Sequence, residues 1–260
     1  MGGLRGFIGL ALCTGLTAFI VAGCSQTGAT GPAGPKLTGT ISGFVYLVNA
    51  NGEQDTVRDS VKVFIEGIGD TVLTNSMGLW SIPNLETGIY TIRYNKIGYG
   101  ESRSEQVQYL GGGPRNLGIV YLVKPPAFNA DSIAWLRRAL KADSTNVRLF
   151  TRLTDTTIQG PYRLLVVLGR DSVLSSVPSP TSASLFITGT FLHGLDTANI
   201  RLTPTNFASE GYQSGDSLWL TAFVANAGSQ NSGYVDVTTE KTVYTCINST
   251  PSVSVRIVVP

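Results

Sequence analysis

The stretch Thr74-Asn75-Ser76-Met77-Gly78-Leu79-Trp80-Ser81-Ile82-Pro83-Asn84-Leu85-Glu86-Thr87-Gly88-Ile89-Tyr90-Thr91-Ile92 decides the fold. It reads as a turn, a strand, a tight glycine corner and a second strand. Asn75 to Gly78 and Thr87-Gly88 supply residues that tolerate positive φ or bond their own backbone. Tyr90, Ile92 and Tyr94 then alternate at the period of two that a half-buried strand requires. Working outward, Ile41, Gly43, Val45 and Leu47 share one strand face and Val61, Val63 and Ile65 another. Asn51-Gly52 and Gly67-Ile68-Gly69-Asp70 provide the turns between. Short strands punctuated this often predict a small β-sandwich over residues 37–124.

Gly43-Phe44-Val45, Val61-Lys62-Val63, the decisive stretch itself and Ile97-Gly98-Tyr99 together resemble the carboxypeptidase regulatory-like domain, a transthyretin-like sandwich. The resemblance covers nearly all of residues 37–124. Asn75 stands where the family usually has Asp, and Trp80 where it usually has Phe; both changes conserve the chemistry of the fold. In metallocarboxypeptidases this domain is an accessory without zinc ligands. The resemblance therefore implies a spacer or recognition module and no peptidase activity.

The chain opens with one cation, Arg5, then an apolar run over residues 7–21, then Val21-Ala22-Gly23-Cys24. Those four residues resemble the bacterial lipobox. This implies that residues 1–23 are a lipoprotein signal peptide and that Cys24 carries the covalent lipid that holds the chain on a membrane. A membrane-spanning anchor is the alternative, and Gly9, Gly15 and Gly23 dilute it. Ser25 after the cysteine implies the outer membrane in a cell that has one. Residues 24–36, with Gly-Pro triplets too few for a triple helix, read as a flexible solvated tether. Whether the body faces the periplasm or the outside is open.

Pro125-Pro126 closes the first sandwich. Residues 131–142 then suggest a short helix inside a linker over 125–144, with Ile133, Leu136 and Leu140 on one side and Arg137, Arg138 and Lys141 mostly on the other. Strand patterns return at 147–153, 162–168, 184–190, 198–202, 218–224, 241–244 and 253–259. Seven strands over residues 145–260 fit an immunoglobulin-like or fibronectin type III-like sandwich. The fold expected is thus all-β, two β-sandwich domains in tandem with a short connecting helix.

Charge and chemistry narrow the function. The 19 Lys and Arg face 17 Asp and Glu, with no basic run or stripe, which argues against nucleic acid as a partner. His193 is the sole histidine, and neighbouring Asp196 does not make a catalytic triad of it. Zinc would have only His193, Cys246 and the acylated Cys24 to bind, and residues 49–55 depart from calcium-loop spacing. Gly111-Gly112-Gly113-Pro114 lacks the lysine of a phosphate loop. No catalytic residue, metal or cofactor is expected beyond the lipid on Cys24. Cys246 reads as a buried inert thiol, with an intermolecular disulfide as the sharper alternative. Trp80, Tyr99, Trp135 and Trp219 are candidate ligand-stacking aromatics, against the plainer reading that sandwich aromatics fill the core. The expectation is a non-catalytic envelope lipoprotein serving adhesion, scaffolding or assembly, with membrane and protein partners; the alternative is a carbohydrate-binding lipoprotein serving a separate transporter or hydrolase.

Overall fold

Strand β1 (Thr38–Val48) is the frame of the N-terminal sandwich. Its side chains alternate as the sequence requires, with Ile41, Val45 and Leu47 buried and Ser42, Phe44 and Tyr46 half-buried. The structure is a computed structural model. It describes residues 34–259 apart from 70, 142–143, 158–159, 177–182, 192, 203 and 227–232, and side chains except at 135–149, 158–161, 177–192, 196–203 and 227–232. The lipobox residues Val21, Ala22, Gly23 and Cys24 and most of the tether lie outside the described residues.

β1 pairs antiparallel with β4 (Leu79–Glu86) and parallel with β7 (Arg115–Val123), giving a sheet of order β4-β1-β7. The facing sheet has the order β3-β2-β5-β6, from β2 (Lys62–Ile65), β3 (Thr71–Leu73), β5 (Gly88–Asn95) and β6 (Ser102–Tyr109). Between them lies one core that includes Ile41, Val45, Val63, Ile82, Ile92 and Leu122. Trp80 sits in it across from Gly43, its register partner on β1. A Cβ at residue 43 would stand 3.0 Å from the indole, so the glycine makes room for the larger ring. Tyr94 meets the indole edge-on, with centroids 5.8 Å apart.

The decisive turn closes through Asn75. Its side-chain oxygen accepts from the amides of Met77 and Leu79, each at 3.0 Å, and its carbonyl accepts from Gly78 at 2.8 Å. Asn performs this acceptor role as Asp does. Gly78 has φ of 83° and lies so close to β1 that a Cβ would be 2.2 Å from the Val45 carbonyl oxygen.

The C-terminal half is also built of strands. One sheet has the order β12-β9-β8, from β8 (Ala130–Lys141), β9 (Ser144–Leu153) and β12 (Leu195–Leu202). The other has the order β11-β10-β13-β16, from β10 (Gly160–Gly169), β11 (Ala183–Phe191), β13 (Ser217–Ala225) and β16 (Val255–Val258). The protein is all-β, with a single short helix among the described residues, α1 (Pro204–Ser209), which sends Phe207 into the core. The helix expected over residues 131–142 is a correction: that stretch is strand β8, hydrogen-bonded to β9 from Ala130↔Leu153 to Lys141↔Ser144. Helix-like apolar spacing and good helix formers lost to a long antiparallel partner, a tertiary contact invisible in the local pattern.

β10 and β13 are covered on both faces. Leu164, Val166 and Leu168 face the main C-terminal core with Leu218 and Leu220, while Leu165, Val167, Phe223 and Ala225 form a second cluster with Ile247. Burial on both sides explains why these strands read as continuous apolar runs. Between β13 and β16 lies the hairpin β14 (Tyr234–Asp236) and β15 (Lys241–Val243), and several residues of this part of the chain meet the N-terminal half. There Asn226 donates to the carbonyls of Asn49 (2.7 Å) and Lys124 (3.3 Å). Asn248 donates to those of Pro126 and Phe128, Cys246 packs with Val48 and Val123, and Arg103 lies 4.6 Å over the Tyr234 ring. Lys36–Pro260 accordingly forms one compact unit.

Candidate functional site

The outward face of the β4-β1-β7 sheet carries three half-buried aromatic side chains, Phe44, Tyr46 and Tyr121. Parallel pairing sets Tyr46 beside Tyr121 and Phe44 beside Ile119, and antiparallel pairing sets Phe44 beside Leu79. Asn116 and Gly118 tune this face. Gly118 has φ of 80° and donates its amide to the Asn116 side chain at 2.7 Å, where the β1–β7 register shifts between Ser42 and Phe44. Past that irregularity Ile119 is exposed and Tyr121 half-buried.

The rings do not lie flat. Tyr46 and Tyr121 meet edge-on, with centroids 5.8 Å apart and planes at 87°. Arg58 covers Tyr46, its guanidinium carbon 3.8 Å from the ring centroid. Arg58 is in turn held by donation to the Asp55 carbonyl at 3.2 Å. Neither tyrosine hydroxyl has a hydrogen-bond partner among the described residues. The face therefore offers a half-buried aromatic centre, two open hydroxyls, aliphatic flanks and one cation. Tyr121 is also packed against the cluster of Val48, Val123 and Cys246.

The aromatics singled out from sequence are not brought together. Trp80 is interior, and its indole N–H has no acceptor among the described residues. Tyr99 is half-buried and donates its hydroxyl to Asp55 at 2.5 Å. That hydroxyl is pushed up to about 12, by burial first and then by the neighbouring carboxylate, so it remains a donor at neutral pH. Its job is to pin the loop that carries Arg58. Trp219 is half-buried on β13, opposite Gly169 and Arg256. Trp135 lies on β8, and its side chain is outside those described. Phe44, Tyr46, Tyr121 and Arg58 were not singled out from sequence. Phe44 and Tyr46 are the opposite side of the β1 alternation that marked the core, which says only that they point away from it; Tyr121 and Arg58 had no signal.

His193 is exposed in the turn between β11 and β12, with φ of 51°. No group of three or more His, Cys, Asp or Glu among the described residues is placed to hold a metal ion. Arg93, Glu101, Arg103 and Glu66 form an ion-pair network on the outer face of the second sheet. It is continuous with the Tyr234 contact, and so belongs to the packing of the hairpin.

No protein-family model matches the chain, and no curated protein matches it. Among solved structures, it is similar to a chain of a type II cohesin–X-dockerin complex from Acetivibrio cellulolyticus, at 21% identity and a TM-score of 0.29, covering 34% of this chain and 58% of that one. The match thus spans little more than half of that chain. It is also similar to a provisionally assigned carbohydrate-binding protein of Bacteroides uniformis (13% identity, TM-score 0.29, 87% of this chain and all of that one). A DUF3823 family protein of Bacteroides ovatus gives 16% identity and a TM-score of 0.27, over 87% of this chain and 100% of that one.

Proposed function

We propose that the protein is a non-catalytic cell-envelope lipoprotein, held by acyl chains on Cys24, that presents the β4-β1-β7 face to a protein partner in adhesion or assembly. The observation that carries the binding role is the strip of Phe44, Tyr46, Tyr121 and Ile119 with Arg58 across it. Half-buried Tyr and Arg side chains concentrated beside exposed Ile119 supply large contact area at low entropic cost. Support for the anchor is the sequence Val21-Ala22-Gly23-Cys24. The glycine corner and Asn75 turn support kinship with carboxypeptidase regulatory-like domains.

The sugar-stacking reading is less well served by this geometry. A pyranose needs an open ring face, and Arg58 occupies that of Tyr46 while Tyr121 stands edge-on to it.

The test places a photo-crosslinking residue at Ile119 in the full chain in intact cells, with Val173, exposed on the C-terminal half, as control. One discrete protein adduct from position 119, lost in Tyr46→Ala/Tyr121→Ala and absent from position 173, is expected. Glycan-array binding lost in the same double variant, with no protein adduct, would replace the protein partner by a sugar. Separately, Cys24→Ala should give an unprocessed precursor that takes up no palmitate; unchanged labelling refutes the anchor.

A further inference from the structure

The end of the N-terminal sandwich from which the tether departs carries apolar side chains that the fold leaves in water. Leu37 is 53% exposed, Ile89 71%, Leu110 70%, and Ile68, in the turn after β2, 43%. Three of these are neighbours by bonding. The Thr87 amide donates to the Leu37 carbonyl at 3.2 Å, and the β5–β6 register of Gly88↔Tyr109 brings Leu110 opposite Thr87. Ile89 follows one residue further along β5.

The loop that displays Leu110 is built to hold its position. Gly111, at φ of 73°, sits against Leu37 so closely that a Cβ would be 2.6 Å from the Leu37 carbonyl oxygen. The Gly112 amide donates to the Thr38 carbonyl at 3.2 Å, and the Tyr109 hydroxyl donates to the Gly113 carbonyl at 2.5 Å. Residues 109–115 line an open hollow of about 440 Å³. Charge at this end is largely paired: Lys36 with Glu86 at 2.6 Å, and Glu66, two residues before Ile68, with Arg93 at 3.3 Å, while Arg115 is exposed.

We propose that this end is a membrane-seating surface, on which Leu37, Ile68, Ile89 and Leu110 enter the headgroup boundary of the bilayer that anchors the chain. The proposal rests on the lipoprotein reading of Cys24. Chain continuity makes lipid the occupant: residues 25–36 join Cys24 to Leu37, about 40 Å at full stretch, so the anchor keeps this end within reach of the bilayer. Tethering of that kind raises the local concentration of the surface into the millimolar range, where a weak apolar contact is populated. Exposed aliphatic tips whose neighbouring carboxylates, Glu66 and Glu86, are each paired with a cation suit the interfacial layer.

The test uses the mature chain in two forms: the acylated protein reconstituted in phosphatidylethanolamine–phosphatidylglycerol vesicles, and a Cys24→Ser chain with an N-terminal hexahistidine tag bound to the same vesicles containing a nickel-chelating lipid. Each carries an environment-sensitive fluorophore at Leu110→Cys or, as control at the opposite end of β5, at Ile97→Cys, a position 96% exposed. Seating predicts a blue-shifted emission quenched by lipids spin-labelled near the headgroup at position 110, none at 97, and loss of at least half the shift in Leu37→Ser/Ile89→Ser. A water-like, unquenched label at 110 in the nickel-bound form overturns the proposal. Shielding that grows with protein concentration without vesicles assigns the surface to a second copy and overturns it too. An unmodified Cys24 in the mass spectrum of the native protein removes the anchor alone, because the nickel-bound form does not depend on it.

Discussion

Gly78 and Gly67 separate two costs that single residues impose. Both have positive φ, but a Cβ at 78 collides with the Val45 carbonyl whereas one at 67 meets nothing within 4 Å. Gly67→Ala should cost about 1 kcal/mol of backbone strain, and Gly78→Ala roughly 2–4 kcal/mol, as read from urea denaturation midpoints. Equal losses would mean that the turn can retreat from β1. Tyr94 gives a second prediction. Burial pushes its hydroxyl up to about 12, with the Ser104 bond opposing. The fold thus favours the neutral phenol, a contribution of about 3 kcal/mol that is complete below pH 10 and disappears as pH rises toward 12. Tyr94→Phe should therefore flatten the alkaline fall in stability followed by near-ultraviolet circular dichroism; an unchanged profile would assign that fall to other groups. At this scale the sequence was legible where backbone chemistry is local, as at Asn75 and Gly78. It was silent about Tyr46 and Tyr121, because alternation marks which side of a strand is buried and not what the other side is for.

Strands, taken as elements, divide by whether their partner leaves a local trace. β13 was legible as a strand pattern at 218–224, and the two clusters that enclose it are the reason for its mostly apolar composition. Phe223 lies in the second of these with Leu165, Val167 and Ile247. Phe223→Ala should destabilise by roughly 3–5 kcal/mol, since the covering segment cannot fully collapse into the space. A loss under about 1 kcal/mol in calorimetry would show that the second cluster contributes little. β8 was misread as helix because Ile133, Leu136 and Leu140 repeat at helical spacing, while the ten residues of β9 that capture it begin only at Ser144, beyond the stretch in which that spacing is read. β14 was missed altogether, being three residues long and meaningful only against β15 and β6.

Across the whole molecule, the two cores are joined by Asn226, Tyr234 and Cys246, which return to the N-terminal half, and not by the connecting segment alone. Asn226 is wholly buried and bridges two carbonyls 75 residues apart in the chain, those of Asn49 and Lys124. Asn226→Ala should cost about 1–3 kcal/mol and, combined with Asn248→Ala, split one calorimetric transition into two. Two transitions already in the unaltered protein would contradict this coupling. The all-β class was legible from period-two alternation, whereas this joint was not, because it depends on amides meeting carbonyls more than a hundred residues away. The parallel pairing of β1 with β7 has a mechanical consequence. The chain enters β1 at Thr38 and leaves β7 at Val123, so a pull applied between those two points drives the two strands past each other lengthwise. Their ladder is loaded in shear, all rungs at once, instead of being unzipped one rung at a time. Stretched in a force spectrometer by its two ends, the N-terminal sandwich should resist as a single abrupt rupture.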